Sequence, residues 1–297
     1  MKKAAIYVFS GTGHTKIAAD MIATQLRALG LNTTVYRVKA PYDDAPDPRT
    51  FDVAGFGYPV HAFNTPQFFL RFVKSLPDAD SMPAFIFKTS GEPFRLNNAS
   101  SRALCRILRK KGFEPRSDTH LLMPYNVMFR YKDALAKQMY LHTQKMCKKI
   151  AADVLSGQPK KMRYNPLTVF FSWLFRLQWV GAWVNGPLIH ANRKACIGCG
   201  LCAENCPAGN ITIKGSQAYF DGRCTMCMGC CMICPTDAVR PGFLNLWRVN
   251  GAYDFEKITA DTSIPDEYVN DDTRGYFRLF RHYYRRTKEF WHDADSP

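Results

Sequence analysis

The strongest constraint on this chain is a run of cysteines that occurs twice in its C-terminal third. Nine of the eleven cysteines fall between Cys196 and Cys234. The two copies, 28 residues apart, are Cys196-x2-Cys199-x2-Cys202-x3-Cys206-Pro207 and Cys224-x2-Cys227-x2-Cys230-x3-Cys234-Pro235. A secreted disulfide scaffold distributes its cysteines through a short chain behind a signal peptide, whereas Met1-Lys2-Lys3 runs straight into an apolar strand pattern. The sequence therefore predicts a metal site in a reducing compartment, the cytoplasm.

The spacing within each copy fits a 4Fe–4S cluster. Two-residue steps direct three sulfurs at one compact core, and the fourth thiolate must come from elsewhere. The residues match the bacterial ferredoxin run, in which the fourth cysteine binds the other cluster. This rule predicts one ligand set of Cys196, Cys199, Cys202 and Cys234, and a second set of Cys224, Cys227, Cys230 and Cys206. Zinc is the alternative, because Cys-x2-Cys pairs also bind it, but a repeated three-step run ending in Cys-Pro is not a zinc-ribbon pattern.

Three cysteines lie outside this repeat. Cys231 is predicted to be a buried packing residue, with a role as a substitute cluster ligand as the alternative. Cys105 and Cys147 fall on predicted helices and are expected to pack in the interior rather than to act as redox thiols.

The first 156 residues alternate short apolar runs with segments of helical periodicity. Strands are predicted at 4–9, 34–38, 51–57, 84–88 and 119–122, and helices at 16–29, 66–75, 98–111 and 132–156. Alternation of this kind indicates βαβ units and a parallel sheet covered on both faces. Five strands predict one doubly wound α/β domain over residues 1–156.

A turn rich in hydroxyl groups and glycine joins the first predicted strand to the first helix. Its residues are Ser10, Gly11, Thr12, Gly13, His14 and Thr15. Backbone N–H groups at a helix N-terminus bind anions, and each hydroxyl can donate to a phosphate oxygen. The alternative is a dinucleotide fingerprint, which would place glycine where Lys16 stands and an acidic residue near the end of the second strand. An NADP site would tolerate Arg37 there, but the three hydroxyls favour a monophosphate.

This turn resembles the FMN phosphate loop of flavodoxins, in the form Ser10-x-Thr12-Gly13-x-Thr15. Together with the cysteine repeat, it makes the chain similar to a family of bacterial flavodoxin-domain/ferredoxin fusion proteins. The resemblance implies a flavodoxin-like sheet of order 2-1-3-4-5 with FMN beyond the carboxyl ends of its strands. It also implies a C-terminal α+β domain that binds two 4Fe–4S clusters over about 194–241. His14 departs from the flavodoxin pattern, and we expect it to face either the phosphate or the solvent.

Two further loops are expected to flank the flavin ring in such a domain. They follow the third and fourth predicted strands, at the same edge of the sheet as the phosphate loop. Their candidate flavin-binding residues are Tyr58, Pro59, Val60, His61, Ala62, Phe63 and Asn64 in one loop, and Thr89, Ser90, Gly91 and Phe94 in the other. The rings of Tyr58, Phe63 and Phe94 are the candidates for stacking on the isoalloxazine.

An aromatic segment lies between the two predicted domains, within a linker and connector at 157–193. It includes Trp173, Trp179 and Trp183, but Arg176 and Gln178 interrupt it, so no uncharged window is long enough for a membrane span. We expect this segment to pack between the two redox modules and cover them. The alternative is an interfacial helix that contacts a membrane surface.

The remaining residues, 242–297, form a basic tail without cysteines. Arg274, Arg278, Arg281 and Arg285 recur at helical spacing, and the aromatic residues Phe277, Phe280, Tyr284 and Trp291 lie on another face. This pattern predicts an amphipathic helix packed by its aromatic residues, with docking of an acidic redox carrier on the arginines as the alternative.

The chain has a formal net charge of +15 at pH 7, from 40 Lys and Arg against 25 Asp and Glu. Such an excess attracts nucleic acids, anionic membranes or acidic proteins. No nucleic-acid-binding motif accompanies the charge, so we expect no nucleic acid partner. Because both motifs indicate redox cofactors, we expect an acidic redox protein, such as a ferredoxin, a flavodoxin or a reductase.

The combined motifs predict an electron-transfer protein. FMN exchanges two electrons together or one at a time, and a 4Fe–4S cluster exchanges one, so a chain holding both connects the two kinds of carrier. The resemblance implies an anaerobic, low-potential setting. The alternative is a flavin-dependent oxidoreductase that reduces a small organic substrate or accepts hydride from NAD(P)H, with the clusters as relay.

Overall fold

The computed structural model describes residues 1–125, 127–160, 162, 164–249 and 251–288. Trp291 and the side chain of Trp183, both singled out from the sequence, lie outside the described part.

Five parallel strands form one sheet at the centre of the N-terminal half. They are β1 (Lys3–Val8), β2 (Asn32–Arg37), β3 (Val53–Pro59), β4 (Met82–Ser90) and β5 (Phe113–Leu122). Their order is β2-β1-β3-β4-β5. This is the flavodoxin-type doubly wound order, so the predicted fold class is confirmed.

Helices cover both faces of this sheet, as a parallel sheet requires. They are α1 (His14–Ala28), α2 (Gln67–Ser75), α3 (Arg102–Lys110) and α4 (Asp133–Ser156). Side chains alternate along β1: Tyr7 and its neighbours pack with α2 and α3, while Ile6 and its neighbours pack with α1 and α4. Residues 98–101, predicted as the start of a helix, belong instead to a 3-10 helix, Arg95–Ser101, that precedes α3.

The two cysteines outside the C-terminal third lie in the apolar cores of the sheet domain. Cys105 on α3 and Cys147 on α4 are both fully buried in the cores on opposite faces of the sheet. Both are free thiols, and burial raises the pKa of Cys105. They serve as packing residues, as predicted.

The C-terminal part that holds the cysteine repeat is a small α+β unit. Its elements are β6 (Ile189–Ala191), α7 (Leu201–Glu204), β7 (Ile211–Lys214), β8 (Gln217–Phe220), α8 (Gly229–Ile233) and β9 (Val239–Pro241). The outer strands β6 and β9 pair antiparallel, and β7 and β8 form an antiparallel hairpin. The order strand–helix–strand therefore occurs twice, matching the duplication in the sequence.

The connector forms two short helices, α5 (Pro166–Leu174) and α6 (Gln178–Asn185), joined by a 3-10 turn at Phe175–Leu177. The side chain of Asn165 caps α5 by accepting a hydrogen bond from the amide of Leu167. The connector reaches from the sheet domain to the cysteine unit. There the side-chain amide of Asn185 donates to the carbonyl oxygen of Pro241 at 3.0 Å.

The prediction that the connector's aromatic residues are covered between the two units needs correction. Trp179 packs against the core of the sheet domain, but Phe170, Trp173 and Phe175 are all exposed. The segment is apolar on both sides, and the sheet domain covers only one of them. Among the described helices, none is long and apolar enough to cross a bilayer.

The basic tail returns to the sheet domain. It contains α9 (Phe255–Ala260) and α10 (Arg278–Lys288). Phe280, Tyr283 and Tyr284 on α10 are buried with Leu135 and Met139 of α4 in one apolar cluster. The amphipathic helix packed by its aromatic residues is therefore present.

Candidate functional site

The predicted phosphate loop lies between the end of β1 and the first turn of α1. Gly13 has a φ of 101°, a left-handed conformation that glycine adopts without steric cost, and a side chain added there would meet open space. The amide of Lys16 donates to Ser10 Oγ at 3.3 Å, and the hydroxyls of Thr15 and Thr89 share a hydrogen bond of 2.7 Å. With no acidic residue in the first turn of α1, the loop fits an anion.

His14 does not take either orientation predicted for it. Its ring is buried, its Nδ1 donates to the carbonyl oxygen of Pro124 at 3.0 Å, and it packs against Tyr253 and Phe255. Burial lowers the pKa of His14 to about 4, while the Pro124 carbonyl opposes this shift. The imidazole is therefore neutral at physiological pH and attaches the loop to the C-terminal tail.

The loops after β3 and β4 lie at the same edge of the sheet and are bonded to each other. The amide of Val60 donates to the carbonyl oxygen of Thr89 at 2.8 Å. Within the first loop, His61 and Asn64 exchange backbone hydrogen bonds of 3.0 and 2.9 Å. The second loop is braced by Ser90, whose hydroxyl donates to the carbonyl oxygen of Glu92 at 2.7 Å. The structure thus brings the three predicted flavin-site loops together at the carboxyl ends of the strands.

Of the three aromatic candidates for stacking, two lie at the crevice. Phe63 and Phe94 have ring centroids 6.2 Å apart in an edge-on arrangement. Tyr58 is instead fully buried, with its hydroxyl bonded to Ser100 Oγ at 2.9 Å and its ring packed on Phe69. The prediction that Tyr58 could stack on the flavin is therefore wrong. Tyr58 belongs to β3 itself, and at its position in the strand the side chain points into the core.

Three residues at these loops were missed from the sequence. The Phe175 ring of the connector lies 4.9 Å from that of Phe63, and Arg37 donates to the carbonyl oxygen of Ser10 at 3.3 Å. Tyr125 covers Gly91, where any Cβ would collide with the tyrosine ring. Tyr125 follows β5, so its position beyond the carboxyl end of a parallel strand was the signal that could have identified it.

The eight cysteines of the repeat line two cavities, in the two predicted sets. Cys196, Cys199, Cys202 and Cys234 line a cavity of about 20 Å³. Cys206, Cys224, Cys227 and Cys230 line another of about 30 Å³, and Cys231 also lines it. Within the described residues, no three His, Cys, Asp or Glu side chains converge closely enough to hold a single metal ion. Four thiols around each of two cavities are a donor set that fits 4Fe–4S clusters.

Backbone amides point at several of these sulfurs. The amide of Asn210 donates to Cys206 Sγ at 3.3 Å, and that of Ala238 donates to Cys234 Sγ at 3.2 Å. In each case the donor lies four residues after the last cysteine of its copy. Burial raises the pKa of Cys227 to about 11, and a bound metal centre would favour its thiolate form.

The phosphate loop and the second cysteine set are in direct contact. A Cβ added to Gly11 would lie 2.5 Å from the carbonyl oxygen of Cys227 and 3.0 Å from its Sγ. A Cβ on Gly229 would in turn lie 2.6 Å from the carbonyl oxygen of Gly11. Both close approaches therefore require glycine.

Polar contacts from β2 and the residues after it fix the same interface. Arg37 donates to Asn205 Oδ1 at 3.2 Å, and Lys39 donates to the carbonyl oxygen of Glu204 at 3.0 Å. The amide of Ala40 donates to the carbonyl oxygen of Pro207 at 2.7 Å. The second set therefore faces the sheet domain, whereas Cys199 of the first set is exposed.

Part of the cysteine unit matches a known family. Residues 189–212 match the family described as 4Fe-4S binding domain. A comparison with curated proteins found no match to the chain. Among solved structures, a flavodoxin from Streptococcus pneumoniae TIGR4 is 18% identical, with 51% of this chain and 99% of that chain covered and a TM-score of 0.38.

Two other solved structures give similar figures. Flavodoxin 1 from Bacillus cereus is 18% identical, with 52% of this chain and 98% of that chain covered and a TM-score of 0.39. The rubredoxin oxygen:oxidoreductase from Desulfovibrio gigas is 17% identical, with 53% of this chain and 37% of that chain covered and a TM-score of 0.34. At these scores the fold assignment rests on the strand order. The chain thus combines a flavodoxin-like sheet with a ferredoxin-type 4Fe–4S segment.

Proposed function

We propose that this protein transfers electrons between an FMN at the carboxyl edge of the sheet and two 4Fe–4S clusters in the cysteine unit. The observation that carries the proposal is the contact of Gly11 in the phosphate loop with Cys227 of the second cysteine set. When bound, FMN exchanges one or two electrons and each cluster exchanges one. A chain that holds these sites in contact connects two-electron with one-electron carriers.

The residues for each cofactor are assigned by position. The amides of residues 11–15 and the hydroxyls of Ser10, Thr12 and Thr15 would hold the FMN phosphate. The loops at 59–64 and 89–94 would enclose the ring, with Phe63 and Phe94 as its aromatic contacts. The two clusters would take the crossed cysteine sets that line the two cavities.

The environment of the sulfurs supports a tuned redox role. Amide donors such as Asn210 and Ala238 stabilise negative charge on the cluster ligands, which raises a cluster's reduction potential. The cavity of the second cysteine set is also lined by apolar residues, which exclude water from it. They include Ile189, Phe220 and Leu244. The chain's own contribution is therefore position, shielding from solvent and hydrogen bonding.

The first cysteine set is the proposed entry or exit for an external carrier. Cys199 is exposed, and the exposed cations Arg193 and Lys194 precede this set in the chain. With a net charge of +15, such a surface favours an acidic redox protein, since complementary charge speeds encounter. The cluster of free cysteines favours a reducing compartment, the cytoplasm.

The test uses the full chain purified and reconstituted without oxygen. We expect about eight iron atoms and one FMN released per chain. Reduced ferredoxin should bleach the flavin, whereas NADPH and NADH should not. Bleaching by a nicotinamide would favour the oxidoreductase alternative, and absence of releasable FMN would overturn the proposal.

A further inference from the structure

The connector leaves an apolar ridge on the surface of the sheet domain. We define it as the exposed side of α5, the 3-10 turn and α6. Leu167 is 63% exposed, Trp173 is 60% exposed and Leu177 is 72% exposed, while Phe170 and Val180 are each 54% exposed. So many large apolar side chains in one continuous stretch indicate an interaction surface rather than scattered surface residues.

The ridge is held firmly rather than attached by a loose linker. The side-chain amide of Asn64 donates to the carbonyl oxygen of Ser172 at 2.7 Å. The Ser172 hydroxyl donates to the carbonyl oxygen of Phe63 at 3.0 Å. At its other end, Asn185 Oδ1 accepts from the amide of Phe243 at 2.7 Å. Because both ends are fixed, the outward direction of its side chains is built into the fold.

A cationic groove runs beside the ridge. It has a volume of about 470 Å³ and lies between α2, α3 and the connector. Its charged lining residues are all basic: Lys74, Arg106, Lys110, Lys111 and Arg176. Among the described residues, Lys111 is the one of these five that forms an ion pair, with Asp78 at 2.6 Å.

Arg176 joins the groove to the ridge. Its guanidinium lies 5.4 Å from the ring centroid of Trp179, and within the described part of the chain its buried Nε has no hydrogen-bond partner. Burial lowers the pKa of Arg176, and the positive charges of Arg102 and Arg106 add to this effect. No carboxylate belongs to the described residues that line the groove, and cations crowded together in this way are stabilised when an anion binds between them.

We propose that this face docks on an anionic lipid bilayer, with the ridge entering the interfacial region and the groove binding lipid phosphate. Tryptophan, phenylalanine and leucine beside lysine and arginine are the composition of segments that lie in a membrane interface. Anionic lipid supplies hydrocarbon for Leu167, Leu177 and Val180 together with negative charge, whereas a nucleic acid supplies charge and stacking bases but no hydrocarbon. The Phe63–Phe175 contact places the docked face directly beside the flavin-site loops.

The test is flotation of the full reconstituted chain with vesicles of phosphatidylcholine containing about 30 mol% phosphatidylglycerol. We expect binding to these vesicles and at least about tenfold weaker binding to pure phosphatidylcholine. The double variant Trp173→Ser/Leu177→Ser and the double variant Arg106→Glu/Lys110→Glu should each weaken binding about tenfold or more.

Matched controls lie on the opposite face of the sheet. Leu155→Ser removes a leucine that is 45% exposed, and Lys148→Glu reverses an exposed charge, both on α4. Both controls should float as the unaltered chain does, and circular dichroism should show that all variants fold. Quenching of tryptophan fluorescence by brominated lipid should fall in Trp173→Phe, which keeps an aromatic ring at the ridge.

The result that overturns the proposal is absence of flotation with the anionic vesicles, or equal loss of binding in the α4 controls. Binding to heparin or DNA that is as tight as vesicle binding, and that survives Trp173→Ser/Leu177→Ser, would instead assign the groove to a soluble polyanion. Flotation requires no electron transfer, so its outcome is independent of the proposed redox function.

Discussion

At the residue scale, Gly11 determines whether the sheet domain and the cysteine unit can meet. A methyl group on its Cα would lie 2.5 Å from the carbonyl oxygen of Cys227, which is too close for two non-bonded atoms. The sequence marked Gly11 as part of a phosphate loop but could not show this second reason for glycine. The reason is a contact between residues more than two hundred positions apart, which no local pattern contains.

Gly11→Ala should loosen the interface between the sheet domain and the cysteine unit. The new methyl group must displace either loop, and overpacking of this kind costs about 1–3 kcal/mol. We expect a lower melting temperature and faster proteolysis in the connector. Gly222→Ala is the matched control, since an added Cβ there meets nothing within 4 Å. Equal effects of the two substitutions would contradict the assigned contact.

The cysteines give a second prediction at this scale. Cys231 lines the same cavity as Cys227 but lies outside the repeat. If the crossed sets are correct, Cys231→Ala should retain about eight iron atoms per chain, whereas Cys227→Ala should retain about four or fewer. Iron and sulfide analysis with low-temperature EPR measures this. Loss of iron in Cys231→Ala to the level of Cys227→Ala would show that the ligand set is wrong.

At the scale of elements, sequence periodicity predicted every strand of the sheet, but it placed the start of β5 poorly. The predicted strand 119–122 is the C-terminal end of Phe113–Leu122, in which the residues after the buried Phe113 and before Leu121 are mainly polar and mostly only partly buried. β5 is an edge strand, so it pairs on one side only and its polar residues are tolerated. The connector was misjudged for a related reason: hydrophobicity shows that a segment avoids water, but not which surface covers it.

Helix α10 offers a test of the element packing. Phe280 is fully buried between α10 and α4, whereas the adjacent Leu279 is 43% exposed. Phe280→Ala should destabilise the protein by about 3–5 kcal/mol, because a large buried ring leaves a cavity. Leu279→Ala should cost less than about 1 kcal/mol. Urea unfolding followed by circular dichroism compares them, and similar midpoints would mean that the tail does not belong to the core.

At the scale of the whole molecule, the C-terminal tail and the sheet domain are joined through buried histidines. His14 packs against Tyr253 and Phe255, and His142 on α4 shares a hydrogen bond of 2.8 Å between its Nε2 and the hydroxyl of Thr287. Burial lowers the pKa of His14 to about 4 and that of His142 to about 3, and Lys145 and Lys288 add to the second shift. Both rings are neutral in the folded protein.

This arrangement predicts a loss of stability in weak acid. Below a pH of about 6.5 the unfolded chain binds protons at these histidines while the folded chain does not, so stability falls as pH decreases towards about 4. Between about pH 7.5 and about pH 5, each histidine should cost about 2 kcal/mol. His142→Gln removes the contribution of one histidine to this loss of stability. Its melting temperature should therefore fall less over this interval than that of the unaltered chain. His190→Gln, at an exposed position, should keep the full decrease, and a parallel decrease in all three proteins would contradict the role of His142. Any acid sensitivity of the cysteine unit is common to all three proteins and therefore cancels from the comparison.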